Sequence, residues 1–450
     1  MTPSSGDTAW VLVSAALVLL MTPGLALFYG GMVRAKSVLN MMMMSFGALG
    51  LISVLWVLYG YTLAFGDDVG GGLLGNLDFA GLEGLLSANP LGGAEGEVAG
   101  IPPMAFVGFQ AVFAIITVAL ISGAIADRAK FGAWLVFAGV WATVVYFPVA
   151  HWVFAFDGYT AEVGGWIAND LKAVDFAGGT AVHINAGAAG LALALVLGKR
   201  IGFGKEPMRP HNLTLVMLGA GLLWFGWFGF NAGSALGAGN TAALAWVNTL
   251  VATAAASLAW LLVERVRDGH ATSLGAASGV VAGLVAITPA CSAVNPVGAI
   301  LVGIVAGALC ALAVGLKFRF GYDDSLDVVG VHLVGGIVGT LLIGIVATSK
   351  APAGVDGLLY GGGLDQLWRQ AVAAGAVMVY SFVLAYVIGK VIDLTIGFRA
   401  TEEDEVSGID LTTHAESAYD LGSVTGGGYR AAAATAGSSL DATTKERVQA

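Results

Sequence analysis

Charged residues are scarce in this sequence. Only 11% of its 450 residues are Asp, Glu, Lys or Arg, whereas a typical soluble domain has about 25%. This composition excludes a soluble enzyme and a disordered scaffold. The two cysteines, Cys291 and Cys310, are too few for the disulfide framework of a small secreted module. Because 20 Lys and Arg stand against 30 Asp and Glu, a nucleic-acid partner is not expected.

Long apolar runs take the place of the missing charge. Hydrophobic residues make up 57% of the chain, and a membrane span needs about 20 of them in succession. Eleven segments are predicted to cross a membrane, namely residues 9–31, 39–65, 102–125, 131–155, 176–198, 212–235, 242–264, 272–289, 294–316, 325–347 and 367–391. The 67 glycines suit close helix packing in lipid. The predicted fold is therefore an all-α integral membrane protein with eleven transmembrane helices.

The basic residues predict how these spans are oriented. All but three of the 20 Lys and Arg fall in one alternating set of loops or in the C-terminal segment. The three exceptions are Lys172, Lys350 and Arg369. Loops rich in Lys and Arg face the cytoplasm. The N-terminus is therefore predicted to lie outside and the C-terminus in the cytoplasm.

An odd number of spans is typical of an inverted repeat, here two five-helix halves followed by one final helix. A short repeated pattern supports the inverted repeat. Asp175 precedes His183 in the fifth span, and Asp327 precedes His332 in the tenth. Because these spans enter from opposite sides, both histidines are expected near the middle of the membrane. Ionisable residues at that depth mark a pathway by default, although a structural hydrogen bond between helices would also explain them.

Aromatic residues give a second indication of function. Phe109 and Phe113 lie on one face of the third span, and the sixth carries Trp227, Phe230 and Ser234 near its outer end. Such stripes are usually core packing, but an aromatic cluster with a hydroxyl also holds small cations. The span interiors have almost no carboxylate, which predicts a passage for an uncharged molecule. If a cation binds first and only an uncharged molecule passes on, the cation must lose a proton in between. Ammonium is the obvious candidate.

Four longer motifs make the chain resemble the ammonium transporters of the Amt/Rh family over roughly residues 9–421. The motifs are Pro23–Arg34, Asp175–Asn185, Gly226–Ser234 and Asp327–His332. The resemblance is to the bacterial Amt branch. It implies a homotrimer of eleven-helix subunits, each with its own pore, in the inner (cytoplasmic) membrane of the cell.

The resemblance also implies an outer ammonium site. The residues that fall there are Phe113, Trp227, Phe230, Ser234 and Phe154. Phe113 and Phe230 would in addition form a stacked gate below the site, which Phe109 extends. At Phe154 the chain departs from the family, which usually has Trp there. Because Phe is a weaker partner for a cation than Trp, a weaker outer site is expected.

Further roles are implied along the pore itself. His183 and His332 match the family's twin pore histidines. Asp175 matches an essential aspartate that supports the recruitment site, which is compatible with a role as helix N-cap. Thr288 falls in a stretch near the pore. No catalytic residue, cofactor or metal is implied, since two histidines without a carboxylate make a poor ligand set.

The chain is predicted to have three parts. Residues 1–396 form the transporter domain, residues 397–421 a cytoplasmic regulatory tail, and residues 422–450, rich in Gly, Ala, Ser and Thr, a disordered extension. The tail resembles those of bacterial Amt proteins, which pack on the cytoplasmic face and cooperate with PII-class signal proteins.

Two other functions stay open from the sequence. The first is an ammonium sensor that acts through a PII-class partner, because no signalling domain follows the last span. The second is an Rh-like gas or amine channel, which the tail motif and Trp227 disfavour. An enzyme is least expected, since no nucleophile–base constellation occurs near a membrane surface.

Overall fold

The chain folds into a bundle of apolar helices in the computed structural model, which describes residues 3–87, 89, 91 and 100–419. In chain order the helices of the bundle are α1 (Ser5–Met32), α2 (Ala35–Phe65), α3 (Pro103–Ile125), α4 (Phe131–Phe154), α5 (Gly179–Leu197), α6 (Leu213–Gly233), α7 (Asn240–Asp268), α8 (Ser273–Ile287), α9 (Pro296–Phe320), α10 (Val329–Val346) and α11 (Asp365–Thr395). A short helix, α12 (Glu402–Ser407), follows in the tail. Over the described ranges no β-strand is formed, so the prediction of an all-α fold is confirmed.

Ten of these helices are long and apolar enough to cross a membrane, counted over the part of the chain that the structure describes. The remaining one, α8, is apolar but has only 15 residues, which corresponds to about 22 Å. It ends just before Thr288 and Pro289 because the residue before a proline is disfavoured in helical conformation. The predicted multi-pass membrane fold is confirmed, and α8 occupies the place of the eighth predicted span.

Consecutive loops lie at alternate ends of the bundle. At one end, which we call the basic end, Asp127 of the α3–α4 loop accepts from Arg34 and from Arg200 at 3.2 Å each, and these arginines follow α1 and α5. At the other end, the backbone N–H of Trp166 donates to the carbonyl of Gly72 at 3.1 Å. We call this the acidic end, since its α2–α3 loop carries aspartates and no Lys or Arg.

Glycines allow the helices to approach closely. A Cβ atom added at Gly303 or Gly307 of α9 would collide with the backbone of Ala252 or Ala256 of α7. Helix α1 packs along α6 in the same way, where a Cβ at Gly229 would lie 2.6 Å from Leu17. Because lipid provides little hydrophobic driving force between helices, such close van der Waals packing is what holds them together.

Helices α5 and α10 share an unusual beginning. Each opens with a π-helical turn, Gly179–Ile184 in α5 and Val329–Leu333 in α10, and each turn contains a histidine. His183 and His332 both stand fourteen positions before the last residue of their helix, which is about 21 Å. The two helices run in opposite directions, so this equal depth brings both histidines to the middle of the bundle.

Replacing Gly307 by leucine tests the packing of α7 against α9. The added side chain would force the two helix backbones apart, and overpacking of this kind costs about 1–3 kcal/mol or more. The midpoint of thermal unfolding in detergent is therefore expected to fall by several degrees. Gly375→Leu on α11 is the matched control, because a Cβ there meets nothing within 4 Å. Equal midpoints for the two variants would contradict this account of the packing.

Candidate functional site: a histidine cavity behind an aromatic chamber

The two predicted histidines are in direct contact. His183 Nδ1 and His332 Nδ1 lie 3.3 Å apart, with the rings 5.4 Å apart and tilted by 24°. One of these nitrogens must donate and the other accept. At most one of the two imidazoles can therefore carry a positive charge while the bond exists. His183 Nε2 is buried and has no hydrogen-bond partner. The pair therefore leaves one polar atom free for a further partner.

A small cavity lies beside the histidine pair. It has a volume of about 10 Å³ and is bordered by His183, His332, Trp227 and Phe230, which leaves room for about one molecule the size of water. The rest of the wall is apolar, formed by Met21, Leu25, Phe28, Ile116, Leu120, Val182, Leu223 and Val281. We call this space the histidine cavity. Its wall suits a small uncharged molecule that forms hydrogen bonds, because an ion would lose its hydration shell there.

Two phenylalanine rings close the histidine cavity on one side. Phe113 and Phe230 stack at 4.2 Å with an angle of 27° between their planes, and each is only 1% exposed. Phe109 packs on Phe113 at 4.9 Å, and Phe230 lies 6.1 Å from His183. The stacked pair and its extension by Phe109 are therefore present as the sequence predicted.

On the far side of the rings is a second cavity, of about 50 Å³, which we call the aromatic chamber. Four predicted residues line it, namely Phe109, Phe113, Phe154 and Ser234. The remaining walls, which sequence reasoning missed, are Phe106, Gln110, Phe156, Tyr159, Thr160, Phe176 and Leu236. Ser234 Oγ donates its proton to the carbonyl of Phe230 at 2.8 Å, so its lone pairs remain free to accept. Since Phe113 borders the chamber and Phe230 the histidine cavity, the stacked pair separates the two spaces.

Trp227 lies with the histidines, not in the aromatic chamber. Its ring stacks on His183 at 5.4 Å, and its indole N–H donates to Thr288 Oγ1 at 2.8 Å. The expected place of Trp227 in the outer ammonium site is therefore corrected. The reason is helix geometry, because Trp227 precedes Ser234 by seven positions, about 10 Å along α6. Thr288 does lie near the histidine cavity, one hydrogen bond behind the indole.

Asp175 caps the helix that carries His183. Its carboxylate accepts from the backbone N–H groups of Gly178, Gly179 and Thr180 at 2.8, 2.6 and 2.8 Å. These groups have no partner within the helix, so the cap stabilises its first turn. Asp175 does not line the aromatic chamber. Its support of the site is therefore indirect, through the position of α5.

The corresponding cap in the second half is Asp324, which the sequence reading missed. Its carboxylate accepts from Val328 and Val329 N–H at 3.1 and 2.7 Å. Asp327, the predicted counterpart of Asp175, instead pairs with Lys317 at 2.7 Å. The spacing in the sequence could have identified Asp324 as the cap. Asp175 precedes His183 by eight positions, and Asp324 precedes His332 by eight. Burial raises the pKa of Asp324 to about 6, although the charge of Lys317 opposes that shift.

Comparison with known proteins identifies the family to which this chain belongs. The model of the Ammonium Transporter Family matches residues 9–419. The chain belongs to this family. An ammonium transporter of Mycobacterium tuberculosis is 63% identical over 446 residues, covering 94% of this chain and 92% of the relative. The family resemblance is thereby confirmed. Because such relatives are named as transporters, transport is indicated rather than catalysis.

Solved structures support the same family. A structure described as a sensor Amt protein is 28% identical with a TM-score of 0.83, and the match covers 90% of this chain and 98% of that one. The crystal structure of Mep2 from Saccharomyces cerevisiae is 34% identical with a TM-score of 0.77, covering 89% and 91%. Family membership and the apolar helices together show a multi-pass membrane protein.

The tail of this ammonium transporter family member packs on the basic end. Glu405 is 1% exposed, and its carboxylate accepts from Arg399 at 2.8 Å and from the backbone N–H of Ile201 at 2.7 Å. Arg34 approaches the same carboxylate at 3.7 Å. Asp410 accepts from the first turns of α2, at 2.8 Å from Asn40 N–H. The described part of the tail therefore packs on the loops and on α2, while the predicted extension 422–450 lies outside the described residues.

Buried arginines tie the loops of the basic end together. Arg200 holds both carboxylate oxygens of Asp323 at 2.9 Å. Arg128 is fully buried and donates to Ser325 Oγ at 2.5 Å and to the carbonyls of Ala124 and Asp323. Burial lowers the pKa of Arg128 to about 10, with Asp323 opposing the shift. Removal of one partner from such a buried set leaves an uncompensated charge, which is strongly destabilising.

Asp324→Ala and Asp175→Ala test the assignment of the two helix caps. Each loses the acceptor for N–H groups at the start of a histidine helix, which costs about 1 kcal/mol or more. Both variants are therefore expected to lower the thermal unfolding midpoint and to reduce ammonium uptake. Asp327→Ala loses a partly exposed ion pair and is expected to change both quantities less. A larger effect at Asp327 than at Asp324 would refute the assignment.

Proposed function

We propose that the protein is an ammonium channel or transporter, which recruits ammonium outside the cell and conducts ammonia to the cytoplasm. The observation that carries this proposal is the stacked Phe113–Phe230 pair, which stands between the aromatic chamber and the histidine cavity. The chamber suits a cation and the cavity suits a neutral molecule. The change of charge between them is a proton lost by the substrate.

Recruitment takes place in the aromatic chamber. Rings attract a small cation placed over their faces, by about 2 kcal/mol or more when the site is desolvated. Phe113 and Phe154 present such rings, and Ser234 Oγ keeps lone pairs that accept from ammonium. Potassium and ammonium are both attracted by these groups, so the chamber concentrates cations without selecting fully between them.

Selection takes place at the ring pair. An ion that moves into the apolar histidine cavity loses its water, and this desolvation is far more costly for a charge than for a neutral molecule. Ammonium avoids the penalty by giving up a proton to water on the chamber side of the rings, whereas potassium has none to lose. Ammonia then passes the rings as they swing aside. The unpartnered Nε2 of His183 supplies a hydrogen-bond partner in the cavity, and the His183–His332 bond holds that imidazole in place.

The proposed topology has eleven spans, arranged as an inverted five-plus-five repeat with α11 as the final helix, and the basic end in the cytoplasm. Counting α8 as a span places successive loops at alternate ends, in agreement with the contacts at both ends. Loops rich in Lys and Arg stay on the cytoplasmic side, so the N-terminus lies outside. We assign residues 1–396 to the transporter domain, 397–421 to a regulatory tail and 422–450 to an extension, in the inner membrane of the cell.

We further propose a homotrimer and a PII-class partner at the basic end. Apolar side chains on the outside of the bundle supply surface for lipid and for neighbouring subunits, with Phe225, Leu258 and Leu394 at 57%, 68% and 82% exposed. The tail supports a regulatory role because Glu405 binds the α5–α6 loop and Lys36, and Asp410 binds the first turns of α2. A sensor without transport is less well supported, since relatives of high identity are named transporters.

His183→Ala and His332→Ala test the function in proteoliposomes. Wild-type protein is expected to give a saturable uptake after an ammonium jump and no uptake after a potassium jump. Each histidine variant is expected to stay folded but to change ammonium conduction or its discrimination from potassium, because a wider and less polar cavity no longer binds a single ammonia. Wild-type behaviour of both variants in uptake, charge movement and selectivity would show that the pair is merely structural.

Two truncations and one point variant test the tail. Removal of 422–450 is expected to leave transport intact, whereas removal of 397–450 impairs it and abolishes binding of a PII-class protein in a pull-down. Glu405→Gln separates charge from chain length, since it weakens the contacts with Arg34 and Arg399 but keeps an acceptor for Ile201 N–H. Its uptake is expected to lie between those of the two truncations. Equal transport and equal PII binding for both truncations would exclude a regulatory tail.

A further inference from the structure

The wall of the aromatic chamber includes a ring that comes from a loop rather than from a helix. Tyr159 lies in the α4–α5 connection, which leaves α4 after Phe154 and crosses the acidic end. Six phenylalanines also line the chamber, so Tyr159 is the lining side chain that combines a ring with a hydroxyl. Its neighbour in the wall, Thr160, uses its own hydroxyl to accept from Phe156 N–H at 3.1 Å.

The loop that carries Tyr159 is held in place on both sides. Within it, the N–H of Gly158 donates to the carbonyl of Ala161 at 2.7 Å, and Gly158 has a φ of +68°, which suits glycine in this tight turn. Asp157 accepts from the N–H of Gly164 at 2.6 Å. The side chain of Asn169 donates to the carbonyl of Ala155 at 2.9 Å. Tyr159 is therefore presented by an ordered turn, as a preformed cation site requires.

A carboxylate lies at the same end of the bundle. Asp7, in the first turn of α1, accepts from the N–H of Ala238 at 2.7 Å, four positions beyond the chamber residue Ser234. Burial and, second, the negative charge of Asp7 raise the pKa of Tyr159, so the phenol stays neutral at physiological pH. A neutral ring together with the negative charge of Asp7 favours a cation in the chamber.

We propose that Tyr159 is an affinity-determining wall of the ammonium recruitment site, contacting the cation through its ring together with Phe113 and Phe154. This inference rests on the proposed function and deepens it. The loop ring supplies part of the cation attraction that Phe154 alone provides weakly. Trp152 and Trp166, the tryptophans nearest in sequence, do not line the chamber. Trp152 instead packs on Tyr380 at 4.7 Å and donates to the carbonyl of Leu73.

The test compares Tyr159→Leu, Tyr159→Phe and a matched control, Tyr360→Leu. Leucine keeps apolar bulk but has no ring, while phenylalanine keeps the ring. Tyr360 is an exposed tyrosine of the same end whose hydroxyl accepts from Asn295 and which does not line the chamber. Initial uptake rates are measured against ammonium concentration in proteoliposomes, which gives a half-saturating concentration and a maximal rate for each protein.

For Tyr159→Leu we expect the half-saturating concentration to rise about three- to tenfold, with a maximal rate within about twofold of wild type. Tyr159→Phe and Tyr360→Leu are expected to stay within about twofold of the wild-type half-saturating value. An unchanged half-saturating concentration in Tyr159→Leu, a fall in maximal rate alone, or an equal rise in Tyr159→Phe overturns the proposal. Failure of the proposed function would look different, because wild type itself would then show no saturable response to ammonium.

Discussion

The contact between His183 and His332 constrains where α5 and α10 begin. The histidines belong to helices that run in opposite directions, so their rings meet only if both helices begin inside the bundle, three or four residues before the histidine. A helix that begins in apolar surroundings leaves backbone N–H groups without water or a partner. Asp175 and Asp324 satisfy those groups. The two carboxylates and the two imidazoles are therefore parts of one arrangement, in which each acid makes the position of a histidine possible.

Buried polar groups also need partners at the basic end. Charged side chains are buried there in contact with one another or with backbone carbonyls. Arg200 is held by Asp323 and Asp127, and Arg128 largely by backbone carbonyls. Glu405 brings the tail into this arrangement because its buried carboxylate would be unpaired without Arg399 and Arg34. Loops and tail at this end consequently form one ionic structure, and it adjoins the cap of α10 through the neighbouring residues Asp323 and Asp324.

The sequence predicted what depends on local pattern and missed what depends on side-chain direction. Long apolar runs located the helices, and helical spacing placed Phe109 and Phe113 on one face of their span. The position of Trp227 was wrong because a resemblance between motifs does not say on which side of the rings an indole lies. Asp324 was missed because the motif of the tenth span was read from Asp327 onward, whereas capping depends on the direction of the carboxylate. Tyr159 could not be found from sequence, since no periodicity places a loop residue in a chamber.

The order of chamber, rings and cavity decides which property each side chain controls on the proposed mechanism. A change in the chamber alters how strongly a cation is held before the rings, and hence the concentration at which transport saturates. It does little to separate ammonium from potassium, since an aromatic ring attracts both through charge. Separation depends on the histidine cavity, where about 10 Å³ of mostly apolar space admits a molecule that has lost its charge. Affinity and selectivity are thus carried by different residues, divided by the Phe113–Phe230 pair.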